Sequence, residues 1–265
     1  TEIYTLSLHD ALPIFLITGH RGFIGSHLTH YLRDFDIVGY DLVDGNDILD
    51  LKKLKKVKCD VVIHLAAKCV VGESWEKPAE YFRTNIEGTA NVLSLGKRVI
   101  LASSCAAGTP DTSPYGLSKL ACEMLNPYLS LRLANVYGKG QNKKHGRVID
   151  NFMLGALKGE ITVYGDGSMK RDYIHVSDVC DGIRKALESD ATGVIGIGTG
   201  KLTSTLELAN MIREMYANYT SNCKIKFIPA KKEADIGYVD ITRALTDLGF
   251  KANVTLWEGL HEYNL

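Results

Sequence analysis

The chain has 265 residues, with 31 Lys+Arg against 31 Asp+Glu, so its net charge is near zero. That length supports one full α/β core or two joined lobes, and the charge balance gives no electrostatic ground for a nucleic-acid or anionic-membrane partner. No apolar run is long enough to span a bilayer and no secretory signal is recognisable; six scattered cysteines without a C-x-x-C pair argue against a zinc site or disulfide framework and fit reduced thiols in a cytoplasmic protein.

Thr1–Ile14, TEIYTLSLHDALPI, back-translates to a common short-read sequencing adapter read in one open frame. It is set apart from the fold as foreign sequence, and the native chain is expected to begin inside the first strand. Phe15–Thr18 is a short apolar run that ends at glycine. A helix follows, with Ile24, His27, Leu28, Tyr31 and Leu32 at three- and four-residue spacing. Asp36–Tyr40 reads as the second strand. Cys59–Leu65 reads as a strand apolar on both faces, as in a buried parallel sheet. Pro78 to Leu95 is predicted helix, Val99–Ala102 strand, Tyr115–Leu125 helix and Leu129–Leu133 strand. After Tyr137 the pattern becomes irregular and glycine-rich, before helix at Val179–Glu188, strand at Val194–Ile197 and helix at Thr205–Tyr219. Lys52, Lys53, Lys55, Lys56 and Lys58 read as a solvated surface.

Strands alternating with helices imply a doubly wound parallel sheet of right-handed βαβ units. The loop Gly19-His20-Arg21-Gly22-Phe23-Ile24-Gly25 follows a strand and opens a helix, the context in which a glycine triplet is informative. Gly19 allows the tight turn, Gly22 lets backbone approach a pyrophosphate, and Gly25 permits close helix–strand packing. The helix N-terminus then offers unpaired N–H groups to phosphate. This is a Rossmann-type dinucleotide site. Asp41, at the end of the second strand, can accept from ribose hydroxyls and would repel a 2′-phosphate, which favours NAD; a turn aspartate is the alternative.

Tyr115-Gly116-Leu117-Ser118-Lys119 is a Y-x-x-x-K pair, whose spacing puts both side chains on one helix face. A phenol of pKa about 10 is a poor base at neutral pH unless a neighbouring ammonium lowers it. An ordinary surface pair is the alternative. Ser104 is the candidate third member, with Cys105 next if the register slips by one.

The G-x-x-G-x-x-G spacing resembles extended short-chain dehydrogenases/reductases. With His64-Leu65-Ala66-Ala67, Gly72-Glu73-Ser74, Lys77-Pro78, Asn85 and Gly88-Thr89, the chain resembles the NAD-dependent nucleotide-sugar epimerase/dehydratase family, and within it UDP-glucose (UDP-galactose) 4-epimerases most. The resemblance covers nearly all of 15–265. It implies catalytic Ser104, Tyr115 and Lys119. It implies NAD held by Gly19, Gly22, Phe23, Ile24, Gly25, Asp41, Asp47, Ile48, Leu65, Ala66, Ala67, Asn85, Ser103, Tyr115 and Lys119. It further implies a nucleotide-diphosphate sugar, UDP-linked by preference, held by Asn135, Val148, Tyr164 and Arg171, and no metal. Residues 15–138, with a returning segment at about 174–198, would form the NAD-binding domain; 139–173 and 199–265 would form a smaller α/β substrate lobe. His175 is expected to be structural.

The reaction implied is epimerisation at C4 through a transient keto-sugar. The alternatives are a nucleotide-sugar reductase or dehydratase, or a non-catalytic NAD-binding protein. Family dehydratases carry Asp-Glu after the Ser/Thr, where this chain has Cys105-Ala106. Three departures stand out. The tyrosine of the Ser-x-x-x-Tyr-Gly pattern is absent after Ser104. The Tyr115 helix is about half the family's length, which counts against the family's homodimer. Lys231 and Lys232 stand near Glu233, where a second phosphate-binding arginine is expected.

Overall fold

The local order of strand and helix follows the sequence closely through the first half of the chain. The computed structural model describes residues 13–109, 113–141, 147–220, 222–230 and 238–263. Strand β1 (Phe15–Thr18) leads to α1 (Phe23–Tyr31), β2 (Ile37–Tyr40), α2 (Leu51–Leu54) and β3 (Val61–His64). Then come α3 (Val71–Glu76), α4 (Pro78–Phe82), a π-helical turn (Arg83–Glu87) and α5 (Gly88–Leu93). Strand β4 (Arg98–Ser104), α6 (Pro114–Met124), β5 (Leu129–Leu133) and β6 (Asn135–Tyr137) complete this half.

Among the described residues, β2-β1-β3-β4-β5 form a parallel sheet completed by β9 (Gly193–Ile197), which the chain reaches through α8 (Val176–Leu187). Period two explains why both faces are covered. Phe15 and Ile17 pack on one face with Leu28, Ile63 and Ile183, while Leu16 packs on the other with Leu54, Val62, Val92 and Val99. This is the doubly wound α/β sheet expected from the alternation of elements.

Ile14 adjoins β1 and is tied to the start of β3. Its carbonyl accepts from Asp60 N at 2.9 Å and its N–H donates to Asp60 Oδ2 at 2.8 Å. Both bonds use only the main chain of Ile14, so the last residue of the adapter-like stretch fills this place without regard to its own side chain. The earlier residues of that stretch, 1–12, lie outside the described residues.

The segment that reads as irregular contains regular elements. α7 (Val148–Leu157) and β7 (Glu160–Tyr164) precede β8 (Lys170–His175). Gly155 breaks the apparent helix pattern because a Cβ there would lie 2.6 Å from the Glu160 carbonyl; the helix needs glycine to lie on β7. β10 (Leu202–Ser204), α9 (Thr205–Met215), β11 (Lys224–Ile228), α10 (Thr242–Asp247) and α11 (Leu256–His261) follow. β10-β8-β6 and β11-β7 form two small sheets. A second core of Phe152, Met153, Ile161, Val163, Leu208 and Ile212 lies beneath them. The lysines at 52, 53, 55, 56 and 58 are all exposed.

Candidate active site

The carboxyl ends of β1, β2, β3 and β4 open onto one cavity of about 530 Å³, the crevice position where open α/β sheets bind ligands. The turn after β1 is set by glycine. Gly19 has φ +73°, and a Cβ there would lie 2.7 Å from Ala66 N. A Cβ at Gly25 would lie 2.2 Å from the Gly19 carbonyl. The turn after β1, the exit of β3 and the start of α1 therefore converge only because these positions lack side chains. Gly19, Gly22, Phe23, Ile24 and Gly25 all line the cavity.

At the β2 end, Asp41 accepts from Arg21 N and from Val43 N, each at 3.0 Å. The Arg21 side chain is turned away and forked onto Asp44, with Nε–Oδ2 2.9 Å and Nη2–Oδ1 2.7 Å. That pairing holds the Asp44 carboxyl below its usual range. Asp47 and Ile48 also line this end. Backbone N–H groups at a helix start, a carboxylate at the second strand and a cavity running between them fit a dinucleotide.

Leu65, Ala66 and Ala67 line the middle of the cavity as β3 exits. Asn85 does not reach it. It is 1 % exposed, and its side chain takes Lys68 N at 2.8 Å and donates to the Lys68 carbonyl at 3.0 Å and to Ser118 Oγ at 2.8 Å. The π-helical turn turns this amide inward, so Asn85 props the segment that forms the wall. His64 stands behind the same wall, between Thr18 Oγ1 at 2.7 Å and Thr89 Oγ1 at 3.0 Å, and burial pulls its pKa down to about 3.

The catalytic candidates occupy the other end. Ser113 caps α6 by accepting from Gly116 N at 3.2 Å, and Pro114 takes the first helical position. Asn126, with φ +60°, and Pro127 end the helix. Tyr115, Lys119, Ser103 and Ser104 line the cavity together with Cys105 and Ala106. Burial pushes the Tyr115 phenol well above its ordinary value, while the Ser104 hydroxyl and the Arg147 guanidinium act against that rise. Lys119 donates to the Ala102 carbonyl at 2.8 Å, and burial lowers its pKa. The Ser103 hydroxyl is taken by Glu123 Oε1 at 2.5 Å, so only part of Ser103 faces the cavity.

Asn135 lines the cavity beside these groups and donates to the Asp172 carbonyl at 3.2 Å. Val148, Tyr164 and Arg171 are not among its lining residues. Val148 begins α7, and Tyr164 ends β7 with 42 % exposure. Arg171 lies on β8 and donates to Met169 Sδ at 3.2 Å; burial raises the Cys105 thiol, and the Arg171 charge acts against that rise. Lys231, Lys232 and Glu233 lie outside the described residues. His175 is buried, bonded to Ser177 at 2.8 Å and edge-on to Tyr137, a structural role.

Sequence reading missed Arg147 and Cys69, both in the cavity wall. Arg147 is the cap residue of α7, the helix concealed by its glycine-rich surroundings. Cys69 sits in the loop that Asn85 props. No group of metal ligands and no helix long and apolar enough to cross a membrane occurs among the described residues.

Residues 15–198 match the family described as NAD dependent epimerase/dehydratase. A Methanocaldococcus jannaschii protein provisionally named a UDP-glucose 4-epimerase is 33% identical, over 92% of this chain and 95% of its own. UDP-glucuronic acid decarboxylase 1 of Danio rerio is 28% identical, over 93% of this chain and 71% of its own. The crystal structure of a Thermotoga maritima UDP-glucose 4-epimerase with UDP-glucose superimposes with TM-score 0.85 at 28% identity, covering 94% of this chain and 97% of that one. A glycine turn, a carboxylate at the end of the second strand and a Ser–Tyr–Lys group in one crevice agree with that match: the chain belongs to the NAD-dependent epimerase/dehydratase family of nucleotide-sugar enzymes.

Proposed function

We propose that the protein epimerises a nucleotide-diphosphate sugar, UDP-linked by preference, at C4 through a transient keto-sugar. The observation that carries this reading is the placement of Ser104, Tyr115 and Lys119 at one end of the cavity, with Cys105 and Ala106 next to Ser104 where an acid–base pair for water loss would stand. Bound NAD supplies the reversible oxidant. Tyr115 takes the proton of the sugar hydroxyl, and Ser104 holds that hydroxyl in line. Lys119 fixes the strand end and contributes positive charge. Tyr115 returns the proton when the keto-sugar has turned over and is reduced on its other face. Arg171 and Asn135 are proposed to face the diphosphate and the sugar.

Incubation with UDP-glucose and with UDP-galactose tests this directly. Interconversion without net cofactor consumption is the expected result; net oxidation of reduced cofactor points to the reductase alternative. No turnover of either sugar by NAD-loaded protein overturns that substrate pair.

A second reading follows from charge. The basic residues lining the cavity are Lys68, Lys119 and Arg147, while the acidic lining residues Asp41 and Asp47 stand at the β2 end. A cationic pocket suits a sugar that carries a carboxylate, which a C4 keto group would activate for loss of carbon dioxide. UDP-glucuronic acid in the same assay, with the pentose product sought, separates the two readings.

A further inference from the structure

Helix α6 grips the end of β4 at two residues and faces a third. Lys119 donates to the Ala102 carbonyl at 2.8 Å, Glu123 accepts from the Ser103 hydroxyl at 2.5 Å, and Tyr115 lines the cavity together with Ser104. Tyr115, Lys119 and Glu123 are spaced i, i+4 and i+8, one face of the helix. Glu123 is the rung that the reaction itself does not use. Its side chain is 4 % exposed, so its charge needs full pairing. Arg132 on β5 supplies it as a fork, with Nε–Oε1 2.9 Å and Nη2–Oε2 2.7 Å. The turn after β4 is shaped around that fork: a Cβ at Gly108 would come within 2.9 Å of Arg132 Nη1.

A buried pair that only stabilised the fold would be replaceable by apolar side chains of similar volume. This one ends on the hydroxyl adjoining Ser104. We propose that Glu123 is a positioning residue: locked by the Arg132 fork, it holds Ser103 and so sets the Ser104 hydroxyl against the Tyr115 phenol. The proposal rests on the reading of Ser104 and Tyr115 as the acid–base end of the site.

The test uses the full chain loaded with NAD. Misplacement of a reacting group by about 1 Å costs on the order of a hundredfold in rate. Glu123→Gln is therefore expected to lower kcat for UDP-galactose by about ten- to a hundredfold, with KM and the NAD dissociation constant within about threefold. Its pH–rate profile should also move to higher pH, because a displaced Ser104 hydroxyl no longer opposes the rise of the phenol. The double variant Glu123→Leu/Arg132→Met keeps the core packed and is expected to melt near the parent temperature while keeping the loss in kcat, since Ser103 still lacks its acceptor. Full activity in Glu123→Gln, or activity restored together with stability in the double variant, overturns the proposal. Should the parent turn over neither UDP-sugar, the substrate reading fails separately. Crystal structures of parent and Glu123→Gln then decide: a shift of the Ser104–Tyr115 oxygen separation by about 0.5 Å or more supports positioning, and an unchanged separation refutes it.

Discussion

Lys119 and Ala102 are joined by a 2.8 Å hydrogen bond from the ammonium to the main-chain carbonyl. The lysine of the Y-x-x-x-K pair is thus committed first to the strand that carries the serines. Its effect on Tyr115 is not the dominant one: burial raises the phenol, and the groups that oppose the rise are Ser104 and Arg147. The neighbouring ammonium expected to favour the phenolate thus has the burial of the phenol to work against. Desolvation outweighs it when both groups lie inside the protein.

A pH profile follows with a definite sign. A raised phenol must lose its proton before it can act as base, so kcat/KM is expected to rise with pH from the neutral range upward. Burial lowers Lys119, so its charge is lost sooner than for an exposed lysine as pH rises, which limits the alkaline side. Tyr115→Phe should lose the rising limb and reduce turnover by about 10²–10⁴-fold, the usual worth of a general base. NAD affinity, measured by titration, should change only a few-fold. A variant that keeps the rising limb would assign the base elsewhere.

Lys119→Arg tests whether charge alone suffices. Lys119 is 4 % exposed, and its slot ends on one carbonyl. A planar fork does not reproduce a single point donor, and the added volume overpacks the site at a cost of about 1–3 kcal/mol. The expected result is a lower melting temperature and at least about a hundredfold loss in kcat, as for a reacting group moved by about 1 Å. Wild-type rates in this variant would show that Lys119 contributes only its positive charge.

The proposed role of Asp41 in cofactor choice is open to a direct test. Its two oxygens already accept from Arg21 N and Val43 N, which fixes the carboxylate at the cavity rim. Replacement by asparagine removes the charge that a 2′-phosphate would meet. Hydrogen bonds to charged groups contribute about 1.5–3 kcal/mol, so Asp41→Asn is expected to weaken NAD by roughly ten- to a hundredfold. NADP should weaken less or improve, compared by titration of both. An equal loss for both cofactors would mean that Asp41 only shapes the turn.

Much of this was legible in the sequence, and the reason is locality. Gly19, Gly25, Tyr115 and Lys119 do their work through spacing within one strand-turn-helix or one helix, so the pattern alone locates them. Ser104 was found because it ends an apolar run. Asn85, which the family resemblance puts at the cofactor, lies in a π-helical turn that no residue pattern announces, and its amide bonds to the Lys68 main chain. Arg147 and Cys69 were missed because tertiary approach, not spacing, brings them to the cavity. Glu123 stands eight residues from Tyr115 in plain view, but its meaning depends on Arg132 in the next strand.

His64 makes stability depend on acid. Thr89 Oγ1 donates to the Asn85 carbonyl at 2.6 Å, so it accepts from His64 Nε2, and Nδ1 is left to accept from Thr18. The ring is therefore a neutral bridge, and burial holds its pKa at about 3 against an ordinary value near 6.5. The unfolded chain binds the extra proton, so stability is full above pH about 6.5 and is lost as pH falls toward 3. The loss from this one residue between pH 7.5 and pH 5 is about 2 kcal/mol, from roughly 1.4 kcal/mol per pH unit below the unfolded pKa. His64→Gln should cost about 1–3 kcal/mol at pH 7.5 through imperfect bridging, and it should flatten the pH dependence over that interval. Urea unfolding of parent and variant at the two pH values measures both effects. Equal slopes in parent and variant would show that His64 takes up its proton without unfolding the wall between Thr18 and Thr89.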